Sequence, residues 1–572
     1  MKINSIIIVG GGTAGWFTAS ALNKHCPEIK VTLIESPDVP TIGVGESTIL
    51  SVNRFFASLG MKDKDWMPHC DATYKGSIKF TDFYKKGEVF HYPFGLMDWT
   101  GTKYGGDDWY LKKWLYPETP QTDFVESYWP AMPLINKNKV NLNEQKIIPN
   151  FNIDRDWAYQ FDATKLGQWM KKNLCSKTTY ISDHVTNIKL DENGWISAVT
   201  TRERGDMTAD LYVDCTGFKS LLLEQALKVP YISYSDMLIN NSAWVTRIMY
   251  TDKEKQLVPY TNCTAIENGW VWRVPLWSRL GSGYVYSDKF VSDEDALKEF
   301  KNHLKNKEKV SNVEKLEYRN IKSRVGIHKT CWEKNCAAIG LSYGFIEPLE
   351  STGLAFAHEG VDKLIIALQT RDGHVTQFDR DCVNRETQIH IDYVKYFVGF
   401  HFFGSVRDDT EYWRWYTQEL KMGEHWNDPP GVPVSRQSGP ERKDETMELS
   451  RARFLFFESG GITDGTACVT AGHHLNLYTD YIRNKMALRA PTWTSSSRHY
   501  FKQDLKETFN YWDKRKEKIN KLADESPTMY EYLKKNIYNK KDFLEEAEKE
   551  KEELNESYKE SVRQATERNR RG

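Results

Sequence analysis

The stretch INSIIIVGGGTAG, residues 3–15, decides the fold. Residues 3–9 form a β-branched apolar run, the pattern of a first strand in a parallel sheet buried on both faces. The glycine turn Gly10-Gly11-Gly12-Thr13-Ala14-Gly15 follows and opens a helix that runs to about Asn23. A second apolar run from Lys30 to Ile34 ends at Glu35, 20 residues beyond Gly15. Strand, glycine turn, helix, strand, acid is the dinucleotide-binding βαβ unit. In it the helix N-terminus takes the pyrophosphate and the acid takes ribose hydroxyls. Gly10, Gly12, Thr13, Ala14, Gly15 and Glu35 are therefore candidate cofactor-binding residues.

Working outward, 572 residues are enough for two to four domains, or for one large enzyme module with insertions. Apolar residues make up 40% and aromatics 13%, with 19 Trp, enough for a large core and for aromatic-lined cavities. A net charge of -1 argues against a broad nucleic-acid surface. The nine cysteines are scattered, the closest pair being Cys331 and Cys336, with no Cys-x-x-Cys. That usage fits a reduced cytoplasm, and no metal site is expected. No apolar run reaches membrane-spanning length. The short run after Met1-Lys2 passes straight into glycines, unlike a secretory signal.

Strand-like segments recur at 178–200, 210–216 and 240–290, with a further short one from Cys336 to Gly340, and after about residue 350 the pattern turns helical. The expected organisation is an α/β core of residues 1–97 and 161–365, interrupted by an aromatic-rich insertion at 98–160. A helical region at 366–512 and a charged helical tail at 513–572 follow. In the insertion, Trp99, Trp109, Trp114, Trp129 and Trp157 read mainly as a satellite core under long loops. In the tail, Phe543, Ala547 and Leu554 would share one narrow helical face.

Four further segments bear on chemistry. WVWRVP at 270–275 places Trp270 and Trp272 on one face of a strand that Pro275 stops. Leu211 to Phe218 is an apolar strand ending in a small-residue turn, with Asp214 and Gly217 at the turn. Asn335 to Gly340 is a buried strand ending at Gly340. Glu347-Pro348-Leu349-Glu350-Ser351-Thr352-Gly353 precedes an apolar-periodic helix to about Gln369, with Ser351 or Thr352 as N-cap. The unpaired N–H groups at such a start suit an anion. Each segment alone is an ordinary sheet strand or helix cap.

Together and in this order the segments resemble the flavin-dependent halogenases of the tryptophan-halogenase superfamily, from residue 3 to about 415. Trp270-x-Trp272-x-Val274-Pro275 resembles the family signature, whose usual form has Ile before the proline. Ile42 to Thr48, with Gly45, resembles the strap between flavin and substrate compartments. Tyr159 to Asp162 and Arg407 to Trp413 also fit family segments. The resemblance implies a flavin-monooxygenase-like, Rossmann-type FAD module with a mostly helical substrate side. Gly45, Asp214, Gly217 and Gly340 join the cofactor residues. The family's essential lysine, in a Gly-x-x-Lys-Phe context, falls on Lys79, and its glutamate on Glu350. Halide would sit at the backbone of Thr352 and Gly353, and Trp270, Trp272 and Pro275 would wall the compartments apart.

The implied chemistry uses FAD as FADH2, molecular oxygen and a halide to make hypohalous acid, which then reaches an aromatic substrate. As an ammonium the lysine would polarise the oxidant; neutral, it could form a haloamine. The glutamate would polarise the oxidant, stabilise the ring cation or take the ring proton. A separate NAD(P)H-dependent flavin reductase and a homodimer are implied as partners, with no nucleic acid and no membrane. Family members acting on free tryptophan carry a tyrosine pair and then Glu, Phe and Trp late in the chain. The corresponding Phe454 to Ile462 lacks that pattern, which points as much to another indole, a phenol or a larger aromatic. Chloride, bromide and iodide are not distinguished by a backbone nest. Two other readings of the same residues are a flavin hydroxylase and a non-catalytic flavin-binding protein.

Overall fold

The computed structural model describes residues 1–38, 45–140, 148, 151–420, 464–474 and 497–539. The first strand, Ser5–Val9, lies inside a six-stranded sheet. Its order is Trp332–Glu333, Cys336–Ala338, Leu211–Asp214, Ser5–Val9, Lys30–Glu35, Thr179–Ser182. All neighbours run parallel except Trp332–Glu333 at one edge. Ile6 and Ile8 enter the main core, while Ile7 and Val9 enter a second cluster with Ile34 and Tyr212. Both faces of the strand are thus covered, which is why its apolar run does not alternate. The helices Thr13–His25 and Gly353–Gln369 pack together on the main-core side.

The second large sheet has seven strands. They run Arg319–Lys322, Ser242–Met249, Arg279–Tyr286, Gly269–Pro275, Tyr260–Ala265, Ser77–Thr81, Val89–Pro93. Its strand period of two sorts the WVWRVP segment. Val271 joins Leu280, Tyr284 and Phe300 in an outer cluster beneath the helix Asp293–Asn306, whereas Trp270, Trp272 and Val274 face a cavity. A small third sheet sits at the junction, with Ala158–Phe161 flanked by Glu46–Ser47 and Thr73–Lys75. Beyond residue 350 the fold is helical as expected, with Gly353–Gln369 followed by Gln377–Phe403, the latter opened by a Thr376/Asp379 capping box.

The described part of the charged tail is docked onto the body. Helix Lys506–Glu525 packs against Met132–Asn136 in the aromatic-rich insertion. Arg515 pairs with Asp98 at 2.6 Å, and Lys516 pairs with Asp123. Further on, Tyr538 stacks on Trp277 with ring centroids 4.1 Å apart, and its hydroxyl lies within hydrogen-bond reach of the carbonyls of Met67 and Ala72. Phe543, Ala547 and Leu554 lie outside the described residues.

Candidate active site

A cavity of about 810 Å³ opens where the glycine turn meets the seven-stranded sheet. Gly10, Gly11, Gly12, Thr13 and Ala14 form one end, with Glu35, Gly45, Gly217 and Gly340 around it. Gly10 has φ +115°, and a Cβ there would stand 2.2 Å from the Cys215 carbonyl oxygen. Gly15 does not line the cavity; its Cβ would stand 2.0 Å from the Gly10 carbonyl oxygen, so it serves the close packing of helix on strand. Gly12, Gly217 and Gly353 have open space where a Cβ would be. A bare backbone cradle at a helix N-terminus, with Glu35 at the next strand end, fits FAD. Tyr180 donates to Glu35 Oε2 at 2.9 Å and holds that acid in place.

Asp214 directs its carboxylate into the protein. Its Oδ2 accepts from the amides of Leu222 and Leu223, and its Oδ1 from Thr216. The carboxylate braces the turn that follows its strand and is not among the residues lining the cavity, whereas Thr216 and Gly217 are. Among strap residues, Gly45, Glu46 and Ser47 line the cavity, and residues 42–44 lie outside the described residues. Burial and the neighbouring Asp162 charge push the Glu46 carboxyl up to about 7.

Trp270 and Trp272 stand side by side on the cavity wall, centroids 6.1 Å apart. Gly283 makes room for Trp272, since a Cβ there would lie 2.2 Å from the indole. Trp270 Nε1 donates to Glu347 Oε2 at 2.7 Å, and Asn240 donates to the same oxygen at 2.8 Å. Burial raises the Glu347 carboxyl to about 7. Pro275 is at the strand end, where its carbonyl accepts from Thr73 Oγ1 at 2.6 Å, and is not a cavity-lining residue.

The lysine beside Glu350 and Ser351 is Lys75, not Lys79. Lys75 ends the strand Thr73–Lys75 and is fully buried. Its Nζ donates to the Thr48 carbonyl and to Ser351 Oγ, each at 2.8 Å, and lies 5.0 Å from the Phe94 ring centroid. Burial pulls its pKa down to about 7, with Cys263 and Glu350 acting in the opposite direction. Lys79 sits on the next strand, between Asn262 and His91, its Nζ 5.5 Å from the Tyr260 ring centroid. The next side chain, Phe80, points the other way and contacts His401 with centroids 4.7 Å apart. Alternation along Ser77–Thr81 therefore sends Phe80 toward Glu350's neighbour and Lys79 to the opposite face.

From Lys75 a chain of hydroxyls follows the cavity edge. Ser351 Oγ donates to Ser47 Oγ at 3.2 Å, Ser47 and Thr261 hydroxyls lie 2.6 Å apart, and Thr261 donates to Gln160 Oε1 at 2.9 Å. Thr261 has one proton and spends it on Gln160, so Ser47 donates to Thr261 and every link points away from Lys75. Lys75 is held as the donor at the head of that chain.

Glu350 is buried, and its Oε1 lies 2.6 Å from His401 Nε2. Ser351, at φ +60°, turns the chain into the helix Gly353–Gln369. Thr352 is the N-cap without a side-chain cap bond; its Oγ1 is buried with no partner among the described residues. No acid stands in the first helical turn. The amides of Thr352 and Gly353 thus keep their affinity for an anion. Sequence reasoning missed Lys75, His401 and Thr261, and the strand Thr73-Tyr74-Lys75 is too short to show a period.

A flavin-sized cradle, a paired-tryptophan wall, and a buried lysine and glutamate at its edge fit a flavin enzyme. The tryptophan halogenase family model matches residues 5–429, so the chain belongs to that family. Tryptophan 6-halogenase SttH of Streptomyces toxytricini is 35% identical over 432 residues, covering 72% of this chain and 80% of that protein. The crystal structure of SttH superposes with a TM-score of 0.74 at 30% identity, covering 93% of this chain and 99% of the other. The apo structure of VirX1 gives 0.83 at 37% identity, covering 94% and 100%. The chain is a flavin-dependent halogenase that uses FADH2, oxygen and halide. Among the described residues, no helix is long and apolar enough to cross a membrane.

Proposed function

We propose that this enzyme halogenates an electron-rich aromatic ring, indole- or phenol-like, with hypohalous acid used at Lys75 and Glu350. The observation that carries the reading is the burial of Lys75 and Glu350 around Ser351, itself on the cavity edge. When bound, FADH2 supplies the two-electron reduction of oxygen that converts halide to hypohalous acid. Gly10 to Ala14, Glu35, Gly217 and Gly340 hold the cofactor, and the Thr352 and Gly353 amides hold the halide. Trp270 and Trp272, pinned by Glu347 and Gly283, keep the bulky substrate out of the flavin cavity.

Lys75 then takes the small oxidant. With a pKa near 7 it is available as an ammonium that hydrogen-bonds the hypohalous oxygen, and as an amine that can carry the halogen. Glu350 stabilises the ring cation and removes the ring proton, a carboxylate's role in a dry site. Lys79, the sequence expectation, has no part in this reading. Reduced flavin comes from a separate NAD(P)H-dependent reductase, in keeping with the single glycine-turn βαβ unit in the sequence. Assembly as a homodimer is a further expectation. All nine cysteines are free, which supports a reducing, cytoplasmic setting.

Mass spectrometry of a panel tests the proposal: L-tryptophan, because SttH is a tryptophan halogenase, with simple indoles and phenols. Each is incubated with FAD, a flavin reductase, NADH, oxygen and chloride, bromide or iodide. Halogenated product from an indole or phenol supports it. Oxygenated product without halogen, or turnover confined to another class of ring, overturns it.

A further inference from the structure

His401 lies in the helix Gln377–Phe403, far from Glu350 in sequence, yet the two side chains meet in the core. His401 is fully buried and clamped by aromatics, with Phe80 at 4.7 Å and Phe397 at 5.1 Å between ring centroids. Its Nδ1 lies 2.9 Å from the Phe397 carbonyl oxygen. A carbonyl only accepts, so Nδ1 carries a hydrogen, and Nε2 is the nitrogen left to gain or lose one. That Nε2 is 2.6 Å from Glu350 Oε1. A bare nitrogen lone pair and a carboxylate oxygen repel at that distance, so the pair holds a proton between them. The contact is bent away from the line of a good hydrogen bond, and neither Glu350 oxygen has another partner among the described residues. Lys75, from the strand Thr73–Lys75, and Cys263, from the strand Tyr260–Ala265, are the other titratable groups acting on Glu350.

We propose that His401 is the positioning partner of Glu350, which rests on the reading of Glu350 as the group that deprotonates the halogenated ring. The proton between the two is kept by His401 Nε2, whose ring also holds its Nδ1–H on the Phe397 carbonyl, so Glu350 meets the ring as a carboxylate. As the ring C–H bond breaks, its electron pair returns to the ring and the proton passes to Glu350 Oε2, the oxygen that His401 does not engage. The imidazolium orients Glu350 before the step and takes no proton in it.

The test begins without substrate. Full-length protein labelled with 15N-histidine is compared with its Glu350→Gln variant by imidazole NMR, the His401→Gln variant assigning the signal. The expected result is an Nε2 resonance of protonated or proton-sharing type that shifts to the bare tautomer in Glu350→Gln. An Nε2 resonance identical in both proteins overturns the proposal. Turnover of indole against ring-deuterated indole gives the second readout. Glutamine can hydrogen-bond Glu350 but carries no charge to hold it as a carboxylate, so His401→Gln should slow halogenation by roughly 100-fold and reveal an isotope effect absent from the parent. A slowed variant with no isotope effect, or full activity, counts against it. If indole is not halogenated by the parent, the substrate reading fails and the NMR result alone decides this one.

Discussion

The large cavity and the lysine–glutamate cluster are built from different materials. The cavity end read as the dinucleotide site is backbone: a glycine turn, a helix start and one acid, all within residues 5–35 of a single βαβ unit. The cluster is side chain, assembled from Lys75, Glu350, His401, Phe80 and Thr261 on five separate elements. A site made of backbone needs small residues at fixed local spacing, and a short motif can encode it. A site made of converging side chains depends on register between strands remote in sequence, and a one-residue change of face relocates the chemistry.

Substitutions in each region should therefore fail differently. A large effect is expected from Glu350→Gln, which should slow halogenation by roughly 100-fold or more while flavin oxidation continues. Equal slowing of both steps would move Glu350 to the cofactor side. In the cavity, Gly10→Ala puts a Cβ 2.2 Å from the Cys215 carbonyl oxygen at φ +115°. It should weaken FAD binding about 10- to 100-fold, from a strain of roughly 1–3 kcal/mol. Unchanged affinity in a flavin titration would show that the turn can yield.

Stability against pH separates the regions further. Lys75 has its pKa lowered by burial to about 7 from 10.5. Between those values the unfolded chain holds a proton that the folded chain has released, so this group makes stability rise with pH across that window. Lys75→Met removes the buried-charge cost, and its stabilising gain should be larger at pH 6 than at pH 9 by roughly 3 kcal/mol. Denaturant unfolding at the two pH values checks this, and equal gains would mean the lysine is not desolvated. The smallest effect is expected from Thr261→Val, which cuts the hydroxyl chain behind Ser47 and Ser351. Loss of about one hydrogen bond's worth of positioning should lower halogenation by about 5-fold with FAD affinity unchanged.

The same division explains what could be read from the sequence. The parallel sheet, the glycine cradle, Glu35 and the helical region beyond residue 350 rest on local spacing and apolar period, and the fold follows them. An acid at the end of a parallel strand resembles Glu35 in sequence, while the Asp214 carboxylate is turned into the next turn, where it accepts from the amides of Leu222 and Leu223. Lys75 and Lys79 flank Gly76, where the chain leaves the small sheet for the seven-stranded one. Strand alternation does not carry across that break, so no local rule says which lysine turns inward. His401 stands in the run Phe397 to Phe403, which reads as a buried helix and says nothing of a carboxylate opposite. Phe454 to Ile462, the stretch bearing on substrate choice, lies outside the described residues.

The most direct measurement sets Lys75→Met beside Lys79→Met. Halogenated product and free hypohalous acid, trapped with a thiol, are both counted per FADH2 oxidised. Lys75→Met is expected to make no halogenated product while flavin is still oxidised and oxidant escapes to the trap. Lys79→Met should halogenate within a few-fold of the parent. An inactive Lys79→Met beside an active Lys75→Met would contradict the assignment of Lys75.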